Sequence, residues 1–352
     1  MKRQITAVVL AVIACVLLAW VPVAPAYGQG ASPSGPAALK DRVSSIIDRF
    51  PAETSAARDA LCADLVKLGP AALAETCARV LPPGSGDDSK VRFAVNGLAV
   101  YVTRTGADAE RRMLVQALCA DLAKKPDPQV ASFLISQVQT AGKAEAVKPL
   151  AGYLRDEALA GPAVAALQAI GGTEATKALL KALDAAPSAA RLSIVDALGA
   201  MRSREAVKKL LALADASDEG LRRAARYALA NIGDPAAGPV LSKVLVAASQ
   251  NERAEAPGLY LLFARRLAES GQDAGALDAA RKVLAAYGRP EDSQVGTEAL
   301  TLLVSILGEK AFLDLVRAVD GPSRALRAAA LELASRGPVL GSVNVQGPKG
   351  LD

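Results

Sequence analysis

A register of 31 residues runs through the middle of this chain. Ala166-Leu167 recurs as Ala197-Leu198 and again as Ala228-Leu229. The same step carries Ile170 to Met201 and Ile232, Leu179 to Leu210 and Leu241, and Leu183 to Ala214 and Leu245. Upstream the step shortens to 29, which aligns Glu145, Lys148, Leu150 and Leu154 with Glu174, Lys177, Leu179 and Leu183. Earlier still, the six residues Ala60 to Leu65 reappear unchanged as Ala117 to Leu122, a shift of 57. A period near 30 corresponds to one two-helix unit, and such a unit buries its apolar faces against its neighbours.

Helical spacing is clearest over 217–232. There Leu221, Ala224, Ala225, Ala228, Leu229 and Ile232 fall on one face, after Asp218 and before Gly233. Asp234 and Pro235 suit the cap and first turn of a second helix, which turns Val240, Leu241, Val244 and Leu245 inward. The same alternation predicts a helix at 37–49 and the pairs 55–68 with 70–81, 90–104 with 108–124, and 128–141 with 143–154. Beyond the regular region it predicts 257–270 with 273–287, 291–307 with 309–319, and a last helix at 322–336. No run of period two argues for a strand. Hydrophobic residues make up 51% of the 352 and aromatic ones only 3%, so the core must be built from alanine and leucine. The expected fold is all-α, a solenoid of stacked antiparallel helix pairs over residues 39–336.

The stretch Asp218-x-x-Leu221-Arg222-x-x-Ala225-x-x-Ala228-Leu229-x-x-Ile232-Gly233-Asp234 resembles the HEAT repeat, in the short bacterial form also found in phycocyanobilin lyases. The likeness covers about 55 to 336 and is strongest over 157–248. It implies an α-solenoid and a habit of binding proteins. It does not imply lyase activity, because these repeats serve many unrelated proteins. A column of arginines, Arg58, Arg92, Arg112, Arg191, Arg222 and Arg327, falls near the starts of first helices. In register with the repeat, it is expected to bond to a turn aspartate or carbonyl rather than to bind an anion.

Residues 1–26 are expected to be an export signal. Lys2 and Arg3 precede an uncharged run from Ile5 to Val21, and Ala24-Pro25-Ala26 supplies small residues for cleavage. Two alternatives stay open, an uncleaved anchor and a lipoprotein modified at Cys15; only these would bring the chain to a membrane. Each reading puts the body outside the cytoplasm, in the periplasm or cell envelope or secreted. Residues 27–38 are expected to be a flexible spacer and the Gly- and Pro-containing 337–352 a disordered tail. Cys62 and Cys77 flank Gly69-Pro70 at positions that face each other on a helix hairpin. They are candidates for a disulfide, with a pair of small buried hydrophobes as the plainer reading.

The chain has no histidine, which removes Ser-His-Asp and Cys-His catalysis and His-bound metals. No catalytic, metal or cofactor site is expected. Asp87-Asp88 lacks the ligand density of a calcium loop, and Gly84-x-Gly86 lacks the Lys-Ser/Thr of a phosphate loop. The formal charge of +5 falls to +3 once Lys2 and Arg3 leave with the signal, too balanced to suggest nucleic acid. The remaining feature is a ladder on second helices: Glu145-x-x-Lys148, Glu174-x-x-Lys177 and Glu205-x-x-Lys208. Local i,i+3 pairing explains it most simply; a groove that fixes the register of a protein partner is the functional alternative. The expected function is a non-catalytic exported scaffold. The alternative is an enzyme or lyase-like accessory that cradles a ligand through Cys62, Cys119 or a concave acid.

Overall fold

A computed structural model describes residues 35–245, 250–287 and 289–336. The signal at 1–26, the spacer as far as 34 and the tail at 337–352 lie outside these. Contacts divide the chain into Met1–Arg42 and Val43–Asp352. Of the first unit only the opening of helix α1 (Pro36–Ile47) is described, so helix begins inside the segment expected to be spacer.

The second unit is all-helical among its described residues. Its first helices are α2 (Ser55–Lys67), α4 (Ser89–Tyr101), α6 (Pro128–Ala141), α8 (Ala160–Ile170), α10 (Ser188–Ala200), α12 (Glu219–Ile232), α14 (Gln250–Glu269), α16 (Ser293–Leu307) and α18 (Arg324–Arg336). Each packs on the next of this row. The second helices are α3 (Pro70–Cys77), α5 (Asp108–Ala123), α7 (Val147–Ala151), α9 (Gly172–Ala182), α11 (Val207–Leu213), α13 (Gly238–Leu245), α15 (Asp273–Tyr287) and α17 (Phe312–Asp320). They form a second layer, in which α3 meets α5 and α7 meets α9. The predicted α-solenoid is therefore the observed architecture.

Local chemistry sets the hairpins. Asp218 caps α12 by accepting from the Leu221 amide at 2.7 Å, and Gly233 closes it in the left-handed region at φ 69°. Asp234 then accepts from the Ala236 amide, and Pro235 opens the next turn. Gly233 is fixed by space as well as by φ, because a Cβ there would stand 2.3 Å from the Cβ of Arg266. Alanine and leucine fill the seam: Ala197, Leu198, Ala228 and Leu229 are fully buried. At Gly199 the absent side chain lets α10 approach the Cα of Ala228.

Two expectations need correction. Several second helices open with a 3₁₀ turn (Ala144–Ala146, Arg204–Ala206, Pro235–Ala237) rather than as regular α-helix. And α14 begins at Gln250, not at Pro257. Pro257 is buried inside the helix, where it forgoes one backbone donor.

Candidate binding surface

Four of the six arginines in the column act as the repeat logic requires, each tying its first helix to the turn before it. Arg92 donates to the Leu81 carbonyl at 2.9 Å and pairs with Asp88; Arg191 donates to Ala186. Arg222 reaches the carbonyls of Ala216 and Ser217, and Arg327 those of Val319 and Gly321. Arg58 differs, pairing with its neighbour Asp59. Arg112 lies on α5, a second helix, so it falls outside the column. Its neighbour Arg111 is the important one. Only 5% exposed, it donates to the Ala141 carbonyl and pairs with Glu145 of the following repeat.

That contact reorganises the ladder. Loss of hydration pushes the Glu145 carboxyl up, but the Arg111 hydrogen bond and charge, with backbone amides, outweigh it and hold the group below the usual range. Glu145 thus faces Arg111, not Lys148. Glu174 and Lys177 do pair, at 3.1 Å, both exposed. Glu205 and Lys208 form no ion pair among the described residues. The physical reason is backbone geometry: Glu145 and Glu205 sit on 3₁₀ turns, whereas Glu174 and Lys177 share one α-helix. One rung of three makes the local pair.

Lys148, Lys177 and Lys208 all remain exposed on the second-helix layer. Lys148, Glu174 and Lys177 line one groove of about 610 Å³ between α7 and α9, together with Arg155 and Lys181. Glu205 lies apart, in a hollow of about 550 Å³ with Arg204 and Thr176. Arg155 and Lys181 escape sequence reasoning because neither recurs at the repeat interval: the 29-residue step carries Arg155 to Asp184, and it would bring Gly152 to Lys181.

A further groove, of about 640 Å³, lies on the first-helix layer across α10, α12 and α14. Its walls include Ala224, Leu259, Leu262 and Tyr227, a residue 56% exposed. Loss of hydration raises the Asp196 carboxyl there. The other acid in the groove, Glu255, is tied to Arg223. The two therefore do not form a paired-carboxylate site.

Cys62, Cys77 and Cys119 are free thiols. The candidate Cys62–Cys77 bridge is not formed: both thiols are free and buried. Cys62 Sγ lies against Gly97 of α4, and Cys77 lies near Asp121 of α5. Burial pushes Cys62 up to about 12 and Cys119 up to about 11; burial and the Asp121 charge push Cys77 higher still. A thiol held in its protonated form is the weaker nucleophile. Among the described residues no group of three His, Cys, Asp or Glu side chains is placed to hold a metal. No described helix is long and apolar enough to cross a membrane.

Residues 176–257, from α9 into α14, match the family model of HEAT repeats. No curated protein sequence matches the chain. Among solved structures, the complex of CpcE and CpcF of phycocyanin lyase from Nostoc sp. PCC7120 is similar at 20% identity. That alignment covers 67% of this chain and 94% of that one, with a TM-score of 0.36. Human deoxyhypusine hydroxylase in complex with glycerol is similar at 19% identity over 84% of this chain and 96% of that one, with a TM-score of 0.28. Scores this low carry no inference about activity. The matched repeats at 176–257 lie within a longer stack of helical hairpins, so the fold is a HEAT-like α-solenoid.

Proposed function

We propose that the chain is a non-catalytic scaffold that binds a protein partner along its second-helix layer after export to the periplasm or cell envelope. The observation that carries the reading is a row of exposed lysines, two of which the fold leaves outside any ion pair among the described residues. Lys148, Lys177 and Lys208 hold repeat-related positions and stay exposed, and Lys148 and Lys208 have no ion pair among the described residues. Elsewhere cations of the layer are spent on the stack itself, as with Arg111 to Glu145, Lys209 to Asp184, and Arg281 to Asp314. A stacked array offers its partner an extended surface rather than one deep pocket. The uncharged run behind Lys2 and Arg3 supports export.

The test is cross-linking and affinity capture of the tagged, full-length protein from its native envelope, followed by mass spectrometry. A protein cross-linked to α7, α9 or α11 is the expected result. Recovery of a small molecule alone would overturn the reading.

A further inference from the structure

Second-helix junctions on either side of the α7–α9 groove are locked by ion pairs across repeats: Arg111 to Glu145 before it, and Lys209 to Asp184 after it. The junction between α7 and α9 has no such lock among the described residues. Instead it gathers four cations, Lys148, Arg155, Lys177 and Lys181, around one carboxylate, Glu174, which already serves Lys177. Lys148, Arg155 and Lys181 are exposed and have no ion pair among the described residues. Between these rims the floor includes the buried apolar side chains Val147, Leu154 and Ala182.

We propose that this groove binds an extended acidic peptide segment, with carboxylates at alternate residues, from the protein partner. The inference rests on the scaffold reading above. Lys177 and Lys181 stand one helical turn apart, which places their Cβ atoms about 5–6 Å from each other. In an extended chain, side chains on one face recur every second residue, at about 6.6–6.8 Å. An acid-x-acid sequence therefore spans the two lysines, with the residue between them on the opposite side of the extended segment. The floor has no aromatic ring on which a nucleic-acid base would stack, which favours a peptide over a single-stranded nucleic acid.

The experiment uses the full chain and a fluorescent peptide of Glu-Val repeats, about ten residues long, read by anisotropy. The same length of Gln-Val repeats, a thymidine oligonucleotide and phosphatidylglycerol vesicles serve as comparisons. Arg155→Glu with Lys181→Glu reverses two cations that hold no internal ion pair, so circular dichroism should match wild type. The acidic peptide is expected to bind the wild-type chain with affinity that falls as salt rises, and to bind the double variant about tenfold more weakly. A Lys310→Glu variant, far along the chain, should bind as wild type does. Equal affinity for the Gln-Val peptide, an unchanged Kd in the double variant, or tighter binding of the oligonucleotide or vesicles would each overturn the proposal. Repeating the envelope capture with the double variant separates the two readings. A partner retained at full yield removes the groove and leaves the scaffold, whereas a wild-type chain that captures no protein removes both.

Discussion

Replacing Gly199 by alanine should destabilise the array, although the same change at most helical sites is favourable. Gly199 sits near the end of α10 with ordinary helical backbone, so alanine would gain something under 1 kcal/mol in helix propensity. Its Cβ, however, would stand 2.7 Å from both the Cα and the Cβ of Ala228 on α12. Unbonded carbons rest at about 3.5–4.0 Å, so α10 and α12 must part by about 1 Å. Neither opposing atom can rotate away, since one is backbone and the other a methyl on it. Parting the helices also stretches the 3.0 Å hydrogen bond from Asn231 to the Gly199 carbonyl, itself continued by Arg266 to Asn231 at 2.8 Å. Overpacking of this kind costs about 2–3 kcal/mol, leaving a net loss of about 2 kcal/mol. Gly258 supplies the internal standard. It is exposed within α14, and a Cβ there meets nothing within 4 Å, so Gly258→Ala should stabilise by about 0.5–1 kcal/mol. Urea midpoints report the sign. Hydrogen exchange over 188–200 and 219–232 shows whether the loss is local, as a nearest-neighbour array requires. A Gly199→Ala chain as stable as wild type would refute the close approach of the two helices.

The acid limb of stability should depend on Glu145. Its folded-state carboxyl lies below the ordinary 4.5, so its contribution is complete above that value and fades as pH falls through the lower, folded one. Glu145→Gln should lower stability at pH 7 by about 1 kcal/mol, allowing for solvent at this partly exposed pair, and should flatten the loss below pH 4.5 in thermal melts; a variant whose acid limb tracks wild type would show that Arg111 does not need this partner. Cys62 and Cys77, buried and with raised pKa, should resist iodoacetamide at pH 8 in the native chain and react on unfolding. Rapid native labelling, or an intact mass two units low from an oxidised pair, would contradict the packing described for them.

How much of this was legible in advance depends on which features obey the repeat. Leucine and alanine at fixed intervals announced the hairpins, because burying one unit against the next imposes the same apolar positions on each. Asp218, Gly233 and Pro235 marked helix ends through chemistry that needs only neighbouring residues. Four of the six arginines in the column were also readable, since a side chain bonding to the preceding turn repeats whenever the turn does, whereas Arg58 turns to Asp59 and Arg112 lies on a second helix. The failures came where a local rule competed with packing. Pro257 reads as a helix start, yet α14 runs through it with the ring buried in the core. The Cys62–Cys77 spacing suits a hairpin bridge, yet both thiols are claimed by the following repeat. Glu145-x-x-Lys148 has the spacing of a helical pair, yet a 3₁₀ turn and the guanidinium of Arg111 redirect the acid.

The same distinction bears on where binding resides. A residue that recurs in every unit is explained by what every unit needs, namely stacking, capping and closure of the turn. Specific recognition requires something that one junction has and its neighbours lack. Arg155 and Lys181 meet that condition, breaking the 29-residue register and converging with Lys148 and Lys177 at a junction without a cross-repeat lock. Transferring the lock to this junction provides a direct trial of that logic. Lys148→Glu places an acid beside Lys181 and Lys177 and should draw them into internal pairs. Stability should then hold or rise by a few tenths of a kcal/mol while affinity for the acidic peptide falls several-fold, because both demands compete for the same cations. If the variant instead loses stability and keeps its affinity, those cations belong to the stack and not to a partner.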